Sequence, residues 1–297
     1  MIIDFRYHVA SLVAVFLALG VGILIGGVVI GNSTLQKELG QIQGDLAKLR
    51  SDQRALSAEI EQREEDLRVY RQFGAAVMPV LVKDKLLGKR VALVRTNPRM
   101  DPRLAKDLTR LFQLAGAKVS SITTFLRDPA ELAPESLAAL GAQLGVEAQE
   151  PQDLAEGILR VAIDRIANGP VYGEASGKTI VSILSGAKLI EAGGDYNGMV
   201  DILVLIGGSQ DPAIDTSKRM DRIFLDTLAG AKGLLVAAVE PGEVALSYLS
   251  EYLRHPVVVV DNVDSAPGQI ALVFALVRGK KGHYGVKGAD QLLPEVF

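Results

Sequence analysis

The stretch KRVALVRT (residues 89–96), followed by PRLAKDLTRLFQLA (102–115) and KVSSITTF (118–125), decides the fold of the larger part of the chain. The outer two segments are short strand-like runs set off by Gly88 and by Ala115-Gly116, and the middle one carries apolar residues at helical spacing. Strand, helix and strand within about 35 residues make a βαβ unit, and a connection of that length joins parallel strands. The pattern recurs downstream. A helix is predicted over 152–167, then strand DILVLI (201–206), helix 213–229, strand GLLVAAV (233–239), helix 244–254, strand VVVV (257–260) and helix 268–277. Residues 130–150 are rich in Ala and Leu but interrupted by Pro and Gly. Strands that are Val/Leu/Ile almost throughout, alternating with amphipathic helices, predict a sheet buried on both faces. The expected fold over residues 80–297 is a doubly wound, mainly parallel, Rossmann-like α/β domain.

Such sheets bind ligands beyond the carboxyl ends of their strands. After the first strand comes Asn97-Pro98-Arg99-Met100-Asp101, which lacks the glycines of a dinucleotide cradle. Gly207-Gly208-Ser209 follows the third strand and is the best-placed ligand loop, although two glycines there also serve simply to make the turn. Asp261 and Asp264 follow the strand ending at Val260. Carboxylates at that place can bind a metal; the simpler reading has Asp264 or Ser265 capping the helix that Pro267 and Gly268 begin. Gly173-Glu-Ala-Ser-Gly177-Lys178-Thr179 resembles a phosphate loop but has three residues between its glycines where four are needed.

Composition narrows the chemistry further. The 297 residues include no Cys, no Trp and three His (His8, His255, His283), so disulfides, thiolate metal sites and Cys nucleophiles are excluded. The histidines are not ligand-spaced, Met78, Met100, Met199 and Met220 are scattered, and no nucleophile elbow occurs. No catalytic residue and no cofactor are assigned, and an enzyme is not expected. With 32 Lys+Arg against 35 Asp+Glu the net charge is −3, which gives no electrostatic reason to bind nucleic acid. Mean hydropathy is nonetheless +0.24.

The apolar excess lies at the start. VASLVAVFLALGVGILIGGVVI (9–30) is uncharged, with only Ser11 polar. As a helix it measures about 33 Å, enough to cross the hydrocarbon of a bilayer. A cleaved signal is usually shorter, follows a basic segment and ends on small residues. Here one Arg precedes the run and Val28-Val29-Ile30 closes it, so residues 1–31 are expected to be an uncleaved membrane anchor. Ala10, Ala14, Ala18, Gly22 and Gly26 fall four apart, a row that lets helices approach closely in lipid. Flanking charge does not settle which way the helix inserts.

Beyond it, Leu35, Leu39, Ile42, Leu46, Leu49, Gln53, Leu56, Ile60, Arg63, Leu67 and Tyr70 alternate spacings of four and three. That 3.5-residue period predicts a coiled coil over 32–73, about 54 Å of it in the seam, and anchorage of both copies at one end favours a parallel homodimer. The alternative is an amphipathic helix packed on its own domain. With Leu39 at a and Ile42 at d, the g positions Glu38, Asp45, Asp52, Glu59 and Asp66 are all acidic. In a parallel homodimer they face Gln43, Arg50, Ser57, Glu64 and Arg71 at e, so only Asp45 and Asp66 meet a cation. Gln53 and Arg63 interrupt the seam, and Gly40 and Gly44 weaken the helix. The acidic row is also suited to dock a more basic helix from a membrane or cell-wall protein.

The opening MIIDFRYHVASLVAVFLALGVGILIG, and near the end DNVDSAPGQIALVFAL (261–276) with GHYGVKGADQLLP (282–294), resemble the MctB family of actinobacteria and related Gram-positive bacteria, a family of copper transport proteins. The likeness extends to the order of anchor, coiled coil and α/β domain. It implies an envelope protein with its bulk outside the cytoplasmic membrane and a role in copper efflux or homeostasis. A second branch of the family is associated with cell separation, acting with a membrane partner on peptidoglycan hydrolases, and a non-catalytic scaffold of that kind fits these residues too. Copper enters only through the resemblance, and no metal ligand is carried across.

Overall fold

The computed structural model describes residues 5–169, 178–289 and 291–295, and the chain divides into two units, 1–69 and 70–297. The first unit is helical throughout its described residues and belongs to α1 (Phe5–Val82). Within it, Arg6–Gly27 is apolar and long enough to cross a membrane, and none of it is buried among the described residues. Farther along the same helix, Leu39, Ile42, Leu46, Leu49, Leu56, Ile60 and Leu67 are exposed by 46% (Leu46) to 66% (Leu49). The side chain of Leu35 lies outside the described ones.

The second unit begins with the last turns of α1. Gly74 and Pro79 do not end the helix, which runs on to Val82. Gly74 lies against Ala266, where an added Cβ would stand 3.2 Å from the alanine Cβ. The turn after α1 is then pinned by backbone bonds, Leu86 N–H to Ala115 O at 2.7 Å and Gly88 N–H to Gly116 O at 3.1 Å.

The sheet is mixed but mostly parallel. Its seven strands are β1 (Arg90–Arg95), β2 (Lys118–Phe125), β3 (Ile190–Gly194), β4 (Ile202–Ile206), β5 (Leu235–Val239), β6 (Val258–Val260) and β7 (Gly282–Tyr284), in the order β3-β2-β1-β4-β5-β6-β7. Only β3 is antiparallel to its neighbour. The alternation along each strand assigns its residues to two cores. Val91 and Leu93 of β1 and Ile202, Val204 and Ile206 of β4 face α2 (Pro102–Leu114) and α8 (Ala266–Arg278), through Leu108, Phe112, Leu272 and Val273. Ala92 and Val94, with Leu203 and Leu205, face α4 (Pro151–Asn168) and α6 (Arg222–Leu228), through Ile158, Ile163, Phe224 and Leu225. Burial on both sides is why these strands are apolar at every position instead of every second one.

Several elements differ from expectation, each for a local reason. Residues 134–144 form α3 (Pro134–Leu144), because Pro134 opens the helix and Gly145, at φ +69°, ends it. The helix expected over 213–229 is α6 alone, preceded by a π-turn at Ser217–Asp221. Asp211 and Asp215 accept from the backbone N–H of Ala213 and Ser217, holding the chain in turns before it. The helix expected over 244–254 is reduced to α7 (Leu249–Tyr252), since Leu246 bridges in antiparallel fashion to Ser209. The sheet also gains β3 and β7, which are short, glycine-containing edge strands without an apolar run, and α5 (Lys178–Gly186) precedes β3.

Leu205 lies wholly inside the core. Leu205→Ala is expected to destabilise the unit by about 2–5 kcal/mol, read as a lowered unfolding temperature of the detergent-solubilised chain.

Candidate functional site

With both faces of the central strands covered, one set of buried polar groups stands where the strands end. The loops after β1 and β4 leave in opposite directions along the sheet, toward β2 and toward β5, which opens a crevice between them. Asn97, wholly buried, donates from Nδ2 to Ser209 Oγ at 3.0 Å, and Ser209 Oγ donates to Asp211 O at 2.7 Å. Ser209 N–H also bonds Leu246 O at 2.9 Å. A Cβ on Gly207 would lie 1.5 Å from the Tyr252 hydroxyl oxygen, and one on Gly208, at φ +90°, would lie 2.9 Å from Val244 Cγ1. Gly207, Gly208 and Ser209 are therefore brought together, but the space freed by the glycines is filled by residues 244–252 of the same chain.

Asp261 and Asp264 are separated in role. Ser265 caps α8, its Oγ accepting from Gly268 N–H at 3.2 Å, while Asp264 Oδ1 accepts from Gly242 N–H at 2.7 Å on the crevice side. Asp261 is wholly buried and accepts from Val286 N–H at 2.7 Å and Lys287 N–H at 3.0 Å, with His283 Nε2 at 2.8 Å. Glu240, also wholly buried, accepts from Ser247 Oγ at 2.8 Å, Tyr248 N–H at 3.0 Å and Lys287 Nζ at 2.9 Å. Gly285, at φ +140°, permits this approach, since a Cβ there would stand 2.2 Å from Asp261 Oδ1. Two motifs separated in sequence, DNVD (261–264) and GHYGVK (282–287), are thus one clasp across the ends of β5 and β6. No motif in the sequence marks Glu240, His283 and Lys287 as site residues. A lone acid after a strand and a glycine-rich tail carry no spacing signal; the recurrence of Gly282 and Gly285 around His283 was the available hint.

Beneath the crevice lies a second polar group. Asp221, wholly buried, accepts from the Tyr252 hydroxyl at 2.6 Å; Tyr248 donates to Ile214 O at 3.0 Å and accepts from Thr216 N–H at 3.2 Å. Burial pushes the Asp221 carboxyl up to about 6, against the opposing hydrogen bonds of Thr96 and Tyr252, with Asp215 adding to the rise. Burial likewise drives the Tyr252 phenol well above its ordinary range, with Asp221 adding to it.

What stays open is a cleft of about 310 Å³ between Met100, Asp101, Arg103 and Asp107 on one side and Gln210, Glu243 and Asp264 on the other. Asp101 caps α2, accepting from Arg103 N–H at 2.9 Å, and its carboxyl is held below the usual range chiefly by that bond. Carboxylates outnumber cations in this lining, Asp101, Asp107, Glu243 and Asp264 against Arg103, so the cleft is acidic. Among the described residues no group of three His, Cys, Asp or Glu side chains is placed to hold a metal ion. His255 lies 3.5 Å from Asp226 and 3.7 Å from Glu251, far along the chain from the His283 clasp. Met100 and Met220 belong to the cores on opposite faces of the sheet, and Met199 is exposed. Of the phosphate-loop-like segment, residues 173–177 lie outside the described ones.

A family model described as "Copper transport outer membrane protein, MctB" matches residues 2–294. Proteins named Copper transporter MctB from Mycobacterium bovis and Mycobacterium tuberculosis are each 26% identical to this chain over 316 residues, spanning 95% of it and 96% of their own lengths.

Removing the Lys287 ammonium leaves Glu240 as a buried charge without its cation. Lys287→Met is expected to cost about 3–5 kcal/mol, of which Glu240→Gln in the same chain recovers a part, as measured by urea unfolding. Asp221 gives a distinct pH dependence. Because its folded value is raised from 3.8 to about 6, the stability it contributes is full below pH about 4 and is lost as the pH rises through about 6. The loss amounts to about 3 kcal/mol. In Asp221→Asn this part of the pH profile of urea unfolding becomes flat.

Proposed function

The chain belongs to the MctB family, and from that premise we propose that it is a membrane-anchored envelope protein serving copper transport and homeostasis. The observation that carries the reading is the family match across 2–294, whose two termini take in both the apolar N-terminal helix and the clasp of Asp261 with His283. In this reading residues 1–31 anchor the chain by one pass, 32–73 form a parallel coiled-coil dimer, and 80–297 form a doubly wound, Rossmann-like domain outside the cytoplasm. The exposed apolar face of α1 supports the coiled coil, since an uncovered row of Leu and Ile at heptad spacing gains most by pairing. The domain acts without catalysis, by contacts made at the strand-end cleft and along the stalk. Copper is its cargo in the envelope and not a resident cofactor.

Deletion of the gene is expected to raise cellular copper and sensitivity to added copper, and the full-length chain to restore both. A chain with Leu12→Asp and Phe16→Asp, which breaks the apolar run, is expected not to. Unchanged copper content and tolerance in the deletion strain, read by elemental analysis and growth, would overturn the copper role. Protease treatment of intact protoplasts checks sidedness, with loss of the 80–297 portion expected.

A further inference from the structure

We infer that Arg63 closes a charged layer between two copies of this chain, joining Glu59 of its own helix to Glu64 of the second copy and thereby fixing a parallel, in-register pair. The inference rests on the coiled-coil reading above and deepens it. In α1 the Arg63 Nη2 atom lies 2.6 Å from Glu59 Oε1, with the two side chains 74% and 56% exposed. An isolated surface pair of this kind contributes little to stability. Its place in the heptad gives it another use. Arg63 occupies d, Glu59 the preceding g and Glu64 the following e. In a parallel coiled coil a d side chain enters a hole formed by four residues of the facing helix, and that hole is bordered by the facing e residue. Arg63 therefore meets Glu64 of the second copy while keeping Glu59.

The charge pattern agrees. Asp45 faces Arg50 and Asp66 faces Arg71, whereas Glu59 faces Glu64, a like-charged pair in an otherwise neutral or attractive series. A guanidinium presents five donors in a planar fork, so one edge serves Glu59 and another serves Glu64. The repulsive step becomes a bridged one. An antiparallel pair would instead set g against g, and Glu38, Asp45, Asp52, Glu59 and Asp66 are all acidic. A charge within the seam costs desolvation, so this layer supplies register and orientation in exchange for tightness.

The chain has no Cys, so full-length protein carrying Leu46→Cys in its own membrane has one thiol. Mild oxidation is expected to give a disulfide-linked homodimer. Adding Arg63→Glu places only carboxylates in the layer and lowers the linked fraction by about tenfold or more, equivalent to about 1.4 kcal/mol. The triple swap Glu59→Arg, Arg63→Glu and Glu64→Arg restores it, with the unfolding temperature of the 70–297 unit unchanged in both. If Arg63→Glu leaves linkage intact, the layer is overturned while the coiled coil stands. If Leu46→Cys gives no homodimer, or links only to a different protein, the homodimer itself is overturned. Linkage between Leu46→Cys in one copy and Leu67→Cys in another would overturn the parallel register.

Discussion

Burial of β1 and β4 on both faces is the constraint from which the rest of the second unit follows. Once Val91 to Val94 and Ile202 to Ile206 are apolar at every position, each face needs a helical layer, and α2 with α8 and α4 with α6 supply them. A buried polar side chain must then find a partner within the protein: on β2, Ser120 donates to Val91 O and Thr123 pairs with the Tyr196 hydroxyl. A second set stands at the strand ends, where Asn97, Glu240 and Asp261 lie just past β1, β5 and β6.

Those groups are buried in turn, and each must find partners from the chain itself. Asn97 takes Ser209, and Glu240 and Asp261 take the segment 283–287. The result is a rim largely closed by its own loops, with one acidic cleft left between the β1 side and the β4 to β6 side. In a rim built this way the hydroxyl groups are bonded within the chain, Ser209 and Tyr248 to backbone carbonyls and Ser247 and Tyr252 to the carboxylates of Glu240 and Asp221.

Legibility in the sequence followed the strength of the periodic signal. VALV, ILVLI and VVVV announced themselves as buried strands, and α2, α4 and α8 as their covering helices, because a core imposes a pattern on consecutive residues. The segments that failed were those governed by partners distant in sequence. Residues 244–248 look helical in isolation, yet Ser209 and Glu240 draw their backbone away. For Gly207 and Gly208 the sequence leaves a ligand loop and a plain turn both open, and only the structure shows that Tyr252 and Val244 pack against them. Asp261 and His283 lie 22 residues apart and share no spacing rule; the sheet brings them together by laying β7 beside β6. The two C-terminal segments on which the family resemblance rests were legible as words but not as one feature.

The clasp also imposes an order in time. Glu240 and Asp261 leave the ribosome well before the groups that satisfy them, Lys287 lying 47 residues beyond the first and His283 22 beyond the second. Until that late segment arrives, two carboxylates destined for the interior remain hydrated and the ends of β5 and β6 stay unsealed. A chain that stops short of residue 287 therefore lacks the ammonium that meets Glu240 and one of the N–H groups that meet Asp261, and leaves both carboxylates short of partners.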